Sequence, residues 1–199
     1  MRFRACLLAA SVAALSSPSG AQPVVGPVPV QDICPAAPDH RAELDALIAR
    51  TQAAQTEGQA RAISGQMWEF WADAPNEQAQ AILDRGMSMR RSFDLLGALA
   101  EFDRLVDYCP DYAEGYNQRA FVSFLQQDFM TALADLGRTL DLSPRHIGAL
   151  SGRALSLAAL GRIAEAQLAL DRALELNPWL PERHMRAPGG PLADRGKDI

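Results

Sequence analysis

The chain is poor in the features that usually announce chemistry or a membrane. It has three histidines, three cysteines, 7% aromatic residues and no excess of base, with 19 Lys and Arg against 24 Asp and Glu for a net charge of −5. That acidic balance excludes the broad basic surface that phosphate backbones require, so no nucleic acid is expected among its partners. The longest apolar run near the start, Ala5 to Leu15, falls well short of the roughly 20 residues a bilayer span needs, and no later segment reaches that length. His40, His146 and His184 have no second ligand at helical spacing, which argues against a zinc site. The segment GGPLADRGK lacks the spacing and preceding strand of a phosphate loop, and no Gly-x-Ser-x-Gly elbow occurs. No catalytic residue, cofactor or metal is therefore expected, and the chain reads as a non-enzyme. The alternative, a small envelope hydrolase or an accessory subunit of an envelope enzyme, is motivated only by export and by the unexplained pair Trp68 and Trp71.

What is present begins with a secretory signature over residues 1–21. Arg2 and Arg4 precede the apolar run, and Ser19 and Ala21 stand where a signal peptidase reads small residues. Cleavage predicts a periplasmic protein with no membrane insertion afterwards, its net charge two units more negative than that of the whole chain. Export also removes Cys6 and leaves Cys34 and Cys109 in an oxidising compartment. The pair either forms one disulfide closing a long loop or remains as two separate or intermolecularly paired thiols.

Residues 22–38 carry five prolines and no apolar period, and read as an extended linker. Residues 39–75 read as one helical hairpin. Asp39 stands as an N-cap before Leu44, Leu47 and Ile48, and a second helix carries Ile63, Met67, Trp68 and Trp71 on one face. Residues 181–199, rich in Pro, Gly and charge without an apolar stripe, predict a disordered tail that leaves the array without a cap.

Between these ends the chain repeats itself at an offset of 34 residues, the period of helix-turn-helix arrays. Pro110, Pro144 and Pro178 fall in register, as do Ala98, Ala132 and Ala166, then Phe102, Leu136 and Leu170. Small residues at Gly86, Ala120 and Ala154 let the two helices of a pair approach closely. The prolines stop each second helix, and Asp94 and Asp128 stand as N-caps at its start. Arg85, Arg119 and Arg153 are in phase as well. They form either a basic strip for an acidic partner or structural pairs with Glu101, Asp103 or Asp135 on the second helices, with their stems over the core.

These classes resemble the tetratricopeptide repeat family, of an exported bacterial type. The units are residues 79–112, 113–146 and 147–180; the second matches best, through Tyr116, Ala120, Ala132, Leu136 and Pro144. The resemblance covers about half the chain, with residues 39–75 as a possible fourth, degenerate repeat. It implies an all-α, antiparallel helix-pair solenoid whose concave face, formed by the first helix of each pair, binds a protein or peptide segment. By resemblance the partner-binding residues are Leu83, Met87, Arg90, Arg91, Asn117, Phe121, Phe124 and Leu155. Met87, Phe121 and Phe124 are the candidate anchors, although Phe124 serves equally well to pack under the next repeat. The family's peptide-carboxylate clamp is missing, since Leu83 and Met87 occupy the first pair of its positions and Gly148 and Gly152 the last. A partner helix or apolar segment is accordingly expected rather than a free carboxyl terminus, and the implied function is that of a periplasmic scaffold or adaptor.

Overall fold

A computed structural model describes residues 33–194, so the expected signal peptide, most of the expected linker and the last five residues lie outside it. Among the described residues there are eight α-helices: α1 (Arg41–Gln52), α2 (Glu57–Trp71), α3 (Glu77–Arg91), α4 (Leu95–Tyr108), α5 (Ala113–Leu125), α6 (Phe129–Leu142), α7 (Ile147–Ala159) and α8 (Ile163–Leu176), followed by a 3-10 turn, Pro181–Arg186. Helices α3–α4, α5–α6 and α7–α8 pack as antiparallel pairs, and the pairs stack through α4 on α5 and α6 on α7. This is the expected all-α solenoid.

Local chemistry sets the boundaries. Asp94 and Asp128 accept the backbone N–H of Gly97 and Thr131 at 3.0 and 3.1 Å, each bond contributing about 1 kcal/mol to starting its helix. Asn76 does the same for Ala79 at 2.9 Å. At the other end, Cys109, Ser143 and Asn177 leave helical geometry with ψ of 73°, 83° and 95°, because each precedes a proline that crowds the α conformation. Phe93, Gln127 and Gly161, in phase at the turn inside each pair, all take left-handed φ of 63°, 63° and 73°.

The three in-phase alanines are fully buried, and Phe102, also fully buried, fills the space that Gly86 leaves open. The arginine ladder serves structure where its contacts are visible. Arg85 pairs with Glu101 at 3.1 Å, while Arg119 bridges Asp135 at 2.7 Å and Asp103 at 3.0 Å. Hydrogen bonds to Asp135 push the Arg119 guanidinium above the ordinary arginine range, against the opposing effect of partial burial.

Three expectations are corrected. Residues 39–75 form a hairpin but not a stacked fourth repeat: α1 packs on α8, and the hairpin core of Leu47, Ile48, Ile63, Met67 and Trp71 closes on Ile147, Leu176 and Leu180 of the third repeat. The apolar faces look alike for either arrangement, so the period could not choose between them. Asp39 is not the N-cap of α1. That position belongs to His40, while the Asp39 carboxylate accepts from Arg41, which holds it down to about 2.

The tail through Asp194 is ordered. Leu192 is fully buried among Ala154, Leu157, Ala166 and Leu170, and Gln167 donates to the carbonyls of Leu192 and Ala193 at 3.2 Å. Arg186 joins Asp171 and Asp194. One leucine and one arginine clasp give the last repeat the cover that an apolar stripe would have announced.

Candidate functional site

Because the hairpin leaves the stack and reaches the third repeat, α2 faces residues of α3, α5 and α7. A cavity of about 640 Å³ lies between α2 and the first helices of the repeats. Met67, Trp68 and Trp71 come from α2; Met87 and Arg90 from α3; Asn117, Phe121 and Phe124 from α5; Ser151, Gly152 and Leu155 from α7. Leu180 and Glu182 line it after the last repeat. The volume is in the range of small-ligand pockets.

The hairpin is fixed in place by contacts to distant elements. The Trp71 ring stacks on His146 with centroids 4.2 Å apart, and its carbonyl accepts from the Tyr112 hydroxyl at 2.9 Å. Burial pushes the Tyr112 phenol above its ordinary range, reinforced by Glu114. Asn177 donates to Ser64, Gln52 to the Glu175 carbonyl, Arg183 to Glu57, and Arg145 pairs with Asp45. A Cys34–Cys109 disulfide, with Cα atoms 5.2 Å apart, ties the segment leading into α1 to the end of α4.

Behind the wall lies a buried polar network. Glu114, 1% exposed, accepts from Asn117 at 3.1 Å, from Gln118 and from His146 Nε2 at 2.9 Å. His146 Nδ1 accepts the backbone N–H of Ala149 at 3.1 Å, so it caps α7 and leaves Nε2 to carry the donated proton. This network holds α5 against the start of α7, and neither Glu114 nor His146 is presented to solvent.

Of the residues singled out from the sequence, Met87, Arg90, Asn117, Phe121, Phe124 and Leu155 all line the cavity. Leu83 does not: it is fully buried in the core with Phe102, because it lies on the flank of α3 that packs under α4. Arg91 is exposed and lies off the cavity, one helical step beyond Arg90. Phe121 stays 45% exposed beneath Arg90, whose guanidinium sits 4.5 Å above its ring. Phe124 both lines the cavity and packs edge-on against Phe129 at 5.4 Å. Nothing local to α2 places Trp68 and Trp71 opposite these residues, since that depends on where the hairpin lands.

No family model matches the chain. A TPR repeat-containing protein of Rhizobium etli is 28% identical over 138 residues, covering 68% of this chain and 66% of its own length. Human tetratricopeptide repeat protein 36 is 36% identical over 75 residues, 38% of this chain and 40% of its own. The chain thus spans just under two thirds of the first relative and less than half of the second. Among solved structures, the first TPR domain of Spaghetti (RPAP3) bound to the HSP90 peptide SRMEEVD superposes with a TM-score of 0.55 at 23% identity, covering 57% of this chain and 91% of that one. The TPR2AB domain of yeast Sti1, in its pHSP90 complex, gives 0.51 at 21% identity, with 72% and 60% covered. At these identities the superpositions establish the fold.

Proposed function

We propose that this chain, a tetratricopeptide-repeat protein by its repeats and its fold, is an interaction module of the bacterial envelope that receives an apolar segment of a partner protein in the cleft between α2 and the stacked first helices. The observation that carries the reading is the convergence of Met87, Phe121, Phe124 and Leu155, from three successive repeats, on one cavity faced by Trp68 and Trp71. Phe121 at 45% and Trp68 at 40% exposure leave aromatic surface at its mouth, the residue type that contributes most where a partner fills a pocket. Solved domains of the same fold that carry HSP90 peptides support a peptide-binding role.

The position of α2 refines the partner. A partner helix would have to replace α2 opposite the first helices, whereas the side chains of an extended segment can enter the cavity as it stands. The amino-terminal signature adds the periplasm as the place of action.

Two experiments test this. A photo-crosslinking residue placed at Phe121 in the native cell is expected to give discrete protein adducts that the same residue at exposed Leu168 does not; matching adducts from both positions would reject the cleft. Cell fractionation with amino-terminal sequencing is expected to find the mature chain in the periplasm beginning near Gln22. An intact start in the cytosol would reject export.

A further inference from the structure

The third arginine of the ladder differs from the first two in what surrounds it. Arg85 and Arg119 each pair with the residue sixteen places on, Glu101 and Asp135, and Arg119 also with the residue sixteen places back, Asp103. The same steps from Arg153 reach Ala169 and Gly137, which carry no charge. Arg172 has lost its acids in the same way. Its in-phase counterparts Arg104 and Arg138 pair with Glu101 and Asp111, but the third repeat has Ala169 and Arg145 at those places. Among the described residues neither Arg153 nor Arg172 has a carboxylate partner, and Arg172 reaches only the Pro144 carbonyl, at 3.4 Å.

Both arginines line a cavity of about 300 Å³ between α6, α7 and α8 that shares no residue with the cleft. Apart from Glu165, the rest of its wall is aliphatic and includes Leu140, Leu157, Leu168 and Ala169. Glu165 is held by Arg162 at 2.7 and 2.6 Å, and Arg153 acts on it only from beyond ion-pair distance. The first repeat shows what the arginine pair can hold. There Arg85 and Arg104, in phase with Arg153 and Arg172, converge on the single Glu101 carboxylate at 3.1 and 2.9 Å, and that side chain is only 14% exposed. Two guanidiniums that repel each other favour an anion between them, and charge-assisted bonds to a carboxylate are the strong class of hydrogen bond.

We infer that this cavity binds a free short-chain aliphatic carboxylate, whose head group takes between Arg153 and Arg172 the place that Glu101 has between Arg85 and Arg104. The small side chain of Ala169 makes room for it. The two methylenes of a partner's glutamate would leave most of the leucine wall uncovered, whereas a longer chain lies along Leu140, Leu157 and Leu168. Leu168 is 72% exposed and gains cover from that chain. The site lies outside the cleft and does not rest on the partner reading.

The test is titration of the purified protein, with its disulfide intact, by hexanoate, hexan-1-ol, acetate and the peptide N-acetyl-Ser-Leu-Glu-Leu-Ser-amide, followed by amide NMR shifts. Saturable one-to-one shifts around the cavity, in α6, α7 and α8, are expected with hexanoate, with affinity roughly tenfold above that for hexan-1-ol or acetate. Arg153→Gln together with Arg172→Gln should erase the preference for hexanoate over hexan-1-ol. Ala169→Glu restores the carboxylate of the first repeat, and should raise the melting temperature by about 1–3 °C and abolish hexanoate binding. The probe comparison in the wild-type protein stands even if a variant folds poorly. No saturable shifts at this cavity, equal affinity for hexanoate and hexan-1-ol, discrimination unchanged in the double variant, or binding that survives Ala169→Glu would overturn the inference. Tighter binding of the peptide than of hexanoate, or discrete protein adducts from a photo-crosslinking residue at Leu168, would overturn the free acid in favour of a partner's acidic side chain.

Discussion

Trp71 and His146 stack with ring centroids 4.2 Å apart and an interplanar angle of 21°, joining the end of α2 to the N-cap of α7. The contact decides that the hairpin belongs to the third repeat. Trp71→Ala removes a nearly buried ring and is expected to cost about 3–5 kcal/mol in urea denaturation. Amide exchange should accelerate in α1 and α2 before α5 and α6.

The Glu114 carboxylate is the common acceptor for Asn117, Gln118 and His146. Glu114→Ala strands buried donors and should destabilise the chain by about 3 kcal/mol, measured by thermal or urea unfolding. Glu114→Gln keeps one acceptor oxygen and should lose clearly less. Equal losses would mean that the hydrogen-bond count is not what holds the network.

A Cβ on Gly86 would lie 2.5 Å from Phe102 Cε1, whereas one on Gly137 would meet nothing within 4 Å. Gly86→Ala should therefore cost about 1–3 kcal/mol through overpacking. Gly137→Ala, in the interior of α6, should stabilise by about 0.5–1 kcal/mol. Melting temperatures moving in the same direction would contradict the assigned packing.

The Cys34–Cys109 bond has a sequence separation of 75 residues. In the chain-entropy account, a loop of that length gives about 4 kcal/mol by restricting the unfolded state. The Cys34→Ser, Cys109→Ser double variant should lose up to that amount. Mass spectrometry of the purified protein with and without reductant should differ by the mass of two hydrogen atoms.

Hydrogen bonds from Arg183 and Arg61 hold the Glu57 carboxyl below the usual glutamate range. Because the folded value is the lower one, this contribution is full above the ordinary value of 4.5 and fades as pH falls through the lowered one. The melting difference between wild type and Arg183→Ala should thus shrink from pH 6 toward pH 3. A difference independent of pH would remove the ion pair from the account.

Much of the solenoid was legible because its rules are local or periodic. Asp94 and Asp128 cap helices through a bond three residues away, the prolines end helices by crowding the residue before them, and Gly86, Ala120 and Ala154 recur where helices touch. Six of the eight residues singled out for the groove line the cavity for the same reason, since repeat register fixes the face of a first helix. Leu83 failed because a helix face wider than the groove also feeds the core.

The sequence alone was enough for the repeat, its helix boundaries and six of the eight residues assigned to the inner face, all consequences of short-range sterics repeated in phase. Only the tertiary structure decided that the hairpin crosses to Ile147 and Leu176 instead of extending the stack, that Glu114 meets His146, and that Leu192 closes the end. Those contacts join residues far apart in the chain. Burial chooses among apolar faces by shape and by the polar groups satisfied around them, and neither is written in the period of a single segment.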